Sequence, residues 1–191
     1  MAFPGVIRRI ILTGFMGAGK STVGALLAER LGWDFVDVDT VIESRAGKTV
    51  AEIFADQGEA VFRALESEAI GELAGREYQV IAPGGGAVEA ESTRELMVGL
   101  DQTCLVFLDA PLEVLIARCL AQPQAAERPV LARREELARR FEARVPHYSM
   151  AHVTVATAGL SPQETVDRVL EAVGRRGAVE RREEGMRSDE R

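Results

Sequence analysis

Asparagine is absent from this chain of 191 residues, and lysine, cysteine and histidine occur only twice each. A GTPase of the common type recognises guanine through an Asn-Lys-x-Asp motif, so the missing asparagine excludes a switch protein of that type. Cys104 and Cys119 lie in apolar runs, and no residues near them have the spacing of ligands in a structural zinc site. We interpret the two cysteines as small buried side chains of a protein in a reducing compartment.

Basic residues are in the minority, since 23 lysines and arginines stand against 30 acidic residues and the formal net charge is −7. This surplus of negative charge disfavours nucleic acid and anionic membrane surfaces as partners. Long hydrophobic runs are also missing. The apolar stretch Ile10–Leu12 ends at Gly14, which makes it too short for a secretory signal or a membrane span. We therefore expect a cytoplasmic protein with no nucleic-acid or membrane partner.

Short apolar segments alternate with segments of helical periodicity, and the chain length suits one α/β domain. The candidate strands are Arg9–Leu12, Asp34–Val36, Gln79–Ala82, Leu105–Leu108 and Val153–Ala156. The candidate helices cover residues 19–31, 49–74, 91–99, 111–121, 132–143 and 162–173. Consecutive apolar positions in the strands are typical of a parallel sheet covered by helices on both faces. We predict a three-layer α/β/α sandwich with a five-stranded parallel sheet that binds ligands at the carboxyl edge of its strands.

The end of the chain has a different composition. From Gly174 to Arg191 it carries six arginines and five acidic residues and has almost no apolar side chains to bury. Such a composition is typical of a disordered segment. We predict a single domain over residues 1–173 and a charged, disordered tail over residues 174–191. Because the sequence has no long exposed apolar stripe, a monomer is the default expectation.

The strongest motif is the glycine-rich segment between the first strand and the first helix. Residues 14–21 read GFMGAGKS and match the pattern GxxxxGK[ST] in its required context. Glycines let successive backbone N–H groups point at phosphate oxygens, and the helix N-terminus presents its free amides to the same anion. Lys20 supplies a mobile charge to the β and γ phosphates, and Ser21 supplies a hydroxyl ligand for Mg²⁺. The motif predicts a nucleotide-binding site that resembles those of P-loop NTPases.

Two carboxylates, Asp37 and Asp39, follow the predicted second strand. In an extended segment, residues two apart point the same way, so we expect both carboxylates to face the phosphate site. One would hold Mg²⁺ through its waters, and the other would accept a proton from an acceptor hydroxyl. This arrangement favours a small-molecule kinase over a motor ATPase, which usually needs a larger body or a partner surface.

Three further segments are suited to an acceptor. Arg63 and Glu66 have the helical i, i+3 spacing at which side chains pair. Gly84–Gly86 follow a strand and allow a ligand to approach the backbone closely. The stretch from Arg118 to Arg144 holds seven arginines and four glutamates, and its local positive charge suits phosphate and carboxylate groups.

Over about residues 8–173, this combination of motifs closely resembles the shikimate kinase family. The phosphate loop alone is shared by many unrelated proteins, whereas the order of all the motifs together is specific. The segments that carry the resemblance are GFMGAGKST from Gly14, DFVDVD from Asp34, GKTVAEIF from Gly47, FRALE from Phe62, Gly84–Gly86, Arg128-Pro129 and RVPHY from Arg144. The resemblance implies transfer of the γ-phosphate of ATP, with Mg²⁺ as cofactor, to the 3-hydroxyl of shikimate in aromatic amino-acid biosynthesis.

The resemblance also implies roles for individual residues. The catalytic residues would be Asp39, Lys20 and Arg128. ATP would be bound by Gly14, Gly17, Ala18, Gly19, Lys20, Ser21, Thr22, Arg118, Arg128 and Pro162. Shikimate would be bound by Asp39, Phe54, Phe62, Arg63, Glu66, Gly84, Gly85, Gly86 and Arg144. Mg²⁺ would be held by Ser21 and, through water, by Asp37. Residues 33–66 would form the acceptor-binding segment, and residues 119–131 a lid that carries Arg128.

Two alternative functions fit part of the pattern. A kinase for gluconate or a nucleoside monophosphate would share the phosphate loop. A monophosphate acceptor would want more cationic groups than Arg63 and Arg144 offer, and gluconate kinases lack the Phe-Arg…Glu block. A nucleotide-binding module without activity would be expected to have lost Lys20 or Asp39, and both are present. ATP and shikimate are therefore the expected small-molecule partners.

Overall fold

The computed structural model describes residues 6–121 and 134–177. The strands in these ranges are β1 (Arg9–Thr13), β2 (Asp34–Asp37), β3 (Gln79–Ala82), β4 (Thr103–Asp109) and β5 (Val153–Ala156). The helices in these ranges are α1 (Lys20–Leu31), α2 (Val38–Ala46), α3 (Val50–Gln57), α4 (Glu59–Leu73), α5 (Glu91–Gly99), α6 (Leu112–Leu120), α7 (Arg134–Tyr148) and α8 (Pro162–Gly174), and a 3₁₀ turn covers Ala87–Glu89.

The strands form one parallel sheet in the order β2-β3-β1-β4-β5. Strand β1 lies in the centre and is buried along its whole length. Helix α1 packs with α8, α4 packs with α5, and the helices cover the sheet. The predicted α/β class with a five-stranded parallel sheet is confirmed. Because the chain leaves β1 for β2 on one side and later returns to β4 on the other, a crevice opens at the carboxyl end of β1.

The predicted helix over residues 49–74 is wrong in one respect, because the structure has two helices there. Gly58 adopts φ 83° and ψ 169°, and its N–H donates to the carbonyl oxygen of Phe54. A φ in this region favours glycine, so the chain breaks at this residue and α4 begins at Glu59. The apolar periodicity on the two sides of Gly58 does not reveal the break.

Helix α2 is missing from the sequence-based prediction, which placed Asp37 and Asp39 in one extended segment. That prediction is wrong. Asp37 ends β2 and is the N-cap of α2, where its Oδ1 accepts a hydrogen bond of 3.1 Å from the backbone N–H of Asp39. Asp39 therefore lies in the first turn of a helix. An N-cap aspartate satisfies one of the free amides at a helix start.

Several other boundaries differ from the prediction, most of them by one or two residues. Helix α7 continues to Tyr148, five residues beyond the predicted end at 143, with Pro146 inside it, and the predicted start at 132 lies outside the described residues. Gly174 is the last residue of α8, so the predicted tail begins too early, and residues 178–191 of that tail also lie outside the described residues. Among the helices of residues 6–121 and 134–177, none combines the length and apolarity needed to cross a bilayer.

Candidate active site

The loop between β1 and α1 lies at the carboxyl edge of the central strand. Gly17 has φ 77°, and a Cβ there would lie 2.3 Å from the carbonyl oxygen of Leu115, so no larger residue fits. Gly19, with φ 89°, is the N-cap of α1. Because glycine has no side chain to cap the helix, the first amides of α1 are left for a ligand. Ala18 is buried, whereas Thr22 is exposed in the first turn.

Lys20 folds back over this loop. Its Nζ donates to the carbonyl oxygens of Gly14 at 2.9 Å and Phe15 at 3.3 Å. Burial lowers the pKa of Lys20 to about 8, against the opposing effect of the nearby Asp39 and Asp37 carboxylates. The ammonium group is therefore poorly solvated, and a phosphate oxygen would offer it a stronger partner than a carbonyl oxygen does.

Ser21 and Asp37 form a pair of oxygen groups beside the loop. The Ser21 hydroxyl donates to Oδ2 of Asp37 at 2.7 Å. Within the ranges 6–121 and 134–177, histidine, cysteine, aspartate and glutamate side chains form no group of three or more suited to a metal ion. Mg²⁺ usually keeps several waters and takes one or two protein oxygens beside the substrate phosphates. The Ser21–Asp37 pair fits Mg²⁺ that arrives with a nucleotide.

Asp39 lies between the phosphate loop and the glycine triplet. Its Oδ1 is buried and has no hydrogen-bond partner in the described part of the chain. A Cβ on Gly84 would lie 3.2 Å from this oxygen, so the carboxylate sits against the triplet. Burial and the neighbouring Asp37 raise the pKa of Asp39, whereas Lys20 and Arg63 lower it. A partly desolvated carboxylate with a free oxygen is suited to accepting a proton.

Arg63 and Glu66 form a part-buried ion pair on α4. Arg63 Nη1 donates to Glu66 Oε2 at 2.7 Å, and Glu66 is 1% exposed. Burial raises the pKa of Glu66 to about 7, although the Arg63 guanidinium opposes the shift. A Cβ on Gly86 would lie 2.0 Å from Arg63 Nη2, and one on Gly84 would lie 2.7 Å from Glu66 Oε1. Gly84 and Gly86 are therefore glycine because this ion pair packs against their backbone, whereas Gly85 faces the phosphate loop at Gly14.

Two aromatic rings lie next to the Arg63 guanidinium. The ring centroids of Phe54 and Phe62 are 4.7 Å apart, and the Arg63 guanidinium carbon lies 6.0 Å and 5.3 Å from them. The break at Gly58 separates α3 from α4 and lets these rings meet side by side. They can form a wall for a ring-shaped ligand next to the guanidinium.

Helix α7 brings Arg144 to the same region. Arg144 is 8% exposed, and four residues later Tyr148 is fully buried on the same helix face. The Tyr148 hydroxyl donates to the carbonyl oxygen of Gly85 at 2.5 Å, and its ring stacks on Phe107 at 5.1 Å. Tyr148 thus fixes α7 to the glycine triplet and holds Arg144 beside it.

Arg118 contacts the loop that connects β5 to α8. Arg118 Nη1 donates to Thr157 Oγ1 at 3.0 Å, and Nη2 donates to the Thr157 carbonyl oxygen at 2.6 Å. Leu115, one turn earlier on α6, touches the phosphate loop at Gly17. Pro162 is the exposed first residue of α8, at the end of the same loop. These groups flank the phosphate loop on the α6 side.

The structure thus brings the described candidate residues to one edge of the sheet. Arg128 and residues 122–131 of the predicted lid lie outside the described residues. Two contributors have no role in the sequence-based prediction. Tyr148 had a detectable signal, since it lies at i+4 from Arg144, but Glu89 had none. Glu89 contacts both Arg63 and Arg144.

Comparisons with known proteins identify the family and the fold. A family model described as shikimate kinase matches residues 16–174. The shikimate kinase of Persephonella marina is 40% identical over 86% of this chain and 98% of its own length. The crystal structure of shikimate kinase from Bacteroides thetaiotaomicron has a TM-score of 0.80, at 35% identity over 87% of this chain and 98% of its own.

A second solved relative carries a ligand. Shikimate kinase from Acinetobacter baumannii, in complex with shikimate, is 31% identical, with a TM-score of 0.76 over 88% of this chain and 94% of its own. A gluconokinase from Sinorhizobium meliloti, at 22% identity and a TM-score of 0.55, shares the fold alone. The chain belongs to the shikimate kinase family, and it is accordingly a phosphotransferase.

Proposed function

We propose that this chain transfers the γ-phosphoryl group of ATP to the 3-hydroxyl of shikimate. The observation that carries the proposal is the position of Asp39. Its carboxylate lies close enough to influence the Lys20 ammonium on one side, and it touches Gly84 and faces the charge of Arg63 on the other. One proton acceptor therefore stands between a phosphate cradle and a pair of arginines. The solved relative from Acinetobacter baumannii, which is in complex with shikimate, supports this acceptor.

On the phosphate side, the chain supplies donors and one mobile charge. Backbone N–H groups of Gly14, Gly17, Ala18 and Gly19, with the first turn of α1 at Ser21 and Thr22, would surround the phosphates. Lys20 would leave its carbonyl partners and contact the β and γ phosphates. Arg118 and Pro162 would border the adenine. Arg128 would add positive charge from the proposed lid, as expected for a loose phosphoryl-transfer transition state.

On the acceptor side, Arg63 and Arg144 would hold the shikimate carboxylate, since a planar guanidinium suits a planar anion. Phe54 and Phe62 would wall the ring, and Gly84, Gly85 and Gly86 would supply backbone around it. Glu66 would fix the orientation of Arg63. The carboxylate would in this way be held at one end of the acceptor and the reacting hydroxyl at the other.

The chemical step follows from these positions. Asp39 takes the proton of the 3-hydroxyl while the hydroxyl oxygen bonds to the γ-phosphorus. The bond between that phosphorus and the β–γ bridging oxygen breaks, and ADP leaves. Ser21 and, through water, Asp37 would hold Mg²⁺, which when bound neutralises charge on the phosphates. The chain's own contribution is to position both reactants and to hold the proton at Asp39.

A monomer in the cytoplasm is part of the same proposal. Cys104 and Cys119 are buried and not joined in a disulfide, which is consistent with a reducing compartment.

The direct test is an acceptor panel. Purified protein with ATP and Mg²⁺ is given shikimate, gluconate, AMP or no acceptor, and ADP release is followed. The proposal expects ADP release that depends on shikimate and stays at the background rate with the other acceptors. Stimulation by gluconate or AMP in place of shikimate would favour the alternative kinases, and no stimulation by any acceptor would favour a nucleotide-binding module.

A further inference from the structure

Glu89 bridges the two arginines assigned above to the acceptor. It is the last residue of the 3₁₀ turn that follows the glycine triplet. Its Oε1 accepts a hydrogen bond of 2.9 Å from Arg144 Nε, and its Oε2 lies 3.6 Å from Arg63 Nη2. A single carboxylate of the chain thus spans the two guanidinium groups, as the carboxylate of the acceptor is proposed to do.

The positive charge of this arginine pair is already compensated by carboxylates of the chain before any acceptor binds. Arg63 also contacts Glu66 at 2.7 Å and Glu59 at 3.0 Å. Three carboxylates therefore surround two guanidinium groups. An anionic acceptor that enters this region meets no uncompensated positive charge unless one of the carboxylates moves away. Because like charges repel strongly in a partly desolvated site, the most movable carboxylate decides the cost of binding.

Exposure and anchoring identify Glu89 as that movable bridging group. The Glu59 side chain is 54% exposed but contacts Arg63 alone, so its movement leaves Arg144 covered. The Glu66 side chain is 1% exposed, whereas the Glu89 side chain, which contacts both arginines, is 41% exposed and can be solvated by rotation alone. The backbone beneath Glu89 is fixed, because Arg94 Nη1 donates to the carbonyl oxygens of Val88 at 2.6 Å and Glu89 at 2.8 Å. The side chain can therefore leave the arginines without movement of the turn.

We propose that Glu89 is a specificity-determining residue, an internal carboxylate that holds Arg63 and Arg144 in place and that the acceptor's own carboxylate displaces. This inference rests on the proposed function, because it takes the two arginines as the acceptor's anchor. It predicts selection for acceptors that carry a carboxylate, since an uncharged ring offers no replacement for Glu89 on the guanidinium groups.

The test compares Glu89→Gln with Glu91→Gln, a matched change at an exposed position two residues along, in the first turn of α5. Steady-state rates are measured against shikimate at saturating MgATP, and inhibition by benzoate, a carboxylate with no hydroxyl to phosphorylate, is measured alongside. In Glu89→Gln the KM for shikimate should fall about threefold to fivefold, the scale of one partly exposed ion pair, and benzoate should inhibit more strongly. The KM for MgATP should stay at the wild-type value, because Glu89 lies outside the proposed ATP site, and this value also shows that the variant is folded.

Each outcome is decisive for Glu89. A fall in the shikimate KM and in the benzoate inhibition constant, absent from Glu91→Gln, supports displacement. An unchanged or higher KM for shikimate overturns it, and a higher value would mean that Glu89 positions the arginines for the acceptor. If the proposed function itself is wrong, the wild-type protein will not phosphorylate shikimate, and this result is distinct from any change in the Glu89→Gln variant.

Discussion

The guanidinium carbon of Arg144 lies 5.6 Å from the centre of the Phe15 ring. Phe15 belongs to the phosphate loop and Arg144 to α7, so this contact joins the part of the site proposed for ATP to the part proposed for the acceptor. Phe141, one turn before Arg144, meets the same ring edge-on at 5.3 Å. An arginine assigned to the acceptor is therefore supported by a side chain of the nucleotide loop.

Replacement of Phe15 should weaken acceptor binding. Phe15→Leu removes the ring beneath Arg144, a contact of about 0.5–2 kcal/mol, so the KM for shikimate should rise about threefold or more. Phe141→Leu is the matched control, because it removes the same ring–ring contact and leaves the ring under Arg144. Equal shikimate KM values in the two variants would show that the cation–ring contact does not position Arg144.

Substitution of Arg144 by lysine should separate the two substrates. A lysine cannot form a bidentate pair with a carboxylate, so Arg144→Lys should raise the KM for shikimate about tenfold or more and leave the KM for MgATP near wild type. Arg140→Lys, one turn earlier in an exposed pair with Glu136, is the control and should change neither value. Equal losses for both substrates would mean that Arg144 is a general structural residue.

The affinity for MgATP should depend on pH through Lys20. Burial lowers the pKa of Lys20 to about 8 in the free protein, and bound phosphates would favour the charged form. Above pH 8, binding must then be accompanied by proton uptake, so the affinity should fall as pH rises from 8 to 9.5. Calorimetric titrations in buffers of different ionisation enthalpy measure both effects. Lys20→Met should bind weakly with no such slope, and a wild-type affinity that is flat between pH 7 and 9.5 would contradict this role of Lys20.

Stability should fall with rising pH because of Glu66. The pKa of Glu66 is raised to about 7 in the folded chain, above the ordinary value of 4.5, so between these values the folded state holds a proton that the unfolded state has lost. The contribution of Glu66 to the free energy of unfolding is present in full below pH 4.5. It is lost as pH rises through 7, and the total loss is about 3 kcal/mol at most.

Denaturant unfolding between pH 4.5 and 8 measures this dependence. In Glu66→Gln, the free energy of unfolding should fall less steeply with pH, because the group that titrates near pH 7 is gone. Glu59→Gln removes an exposed carboxylate from the same arginine, and it should follow the wild-type curve. Parallel curves for the wild type and Glu66→Gln would show that burial of Glu66 does not set the pH dependence.

The sheet and the phosphate loop were predictable because their signals are local. Consecutive apolar residues in the strands reflect burial on both faces, and residues 14–21 combine glycines and Lys20 in one short segment between a strand and a helix. The bounds of β3 match the predicted ones for the same reason, and those of the edge strand β5 match although Val155 is its one buried residue.

Other features depend on backbone conformation or on distant contacts. The helix break at Gly58 is set by the backbone conformation of that one glycine, inside a continuous helical pattern of apolar residues. Helix α2 begins where it does because Asp37 caps its first turn, so the chain does not continue as a strand. The bridge from Glu89 to Arg144 joins residues 55 positions apart, and no local pattern predicts such a pairing.

The most direct measurement compares the wild type with Asp39→Asn at saturating MgATP and shikimate, following ADP release and identifying the phosphorylated product by ³¹P NMR. The proposed reaction yields shikimate 3-phosphate and ADP in equal amounts from the wild type. The variant keeps the shape of the side chain but lacks the proton acceptor, so its rate should fall about 10²-fold or more with MgATP affinity intact. An undiminished rate in Asp39→Asn, or a wild-type product phosphorylated at another hydroxyl, would contradict it.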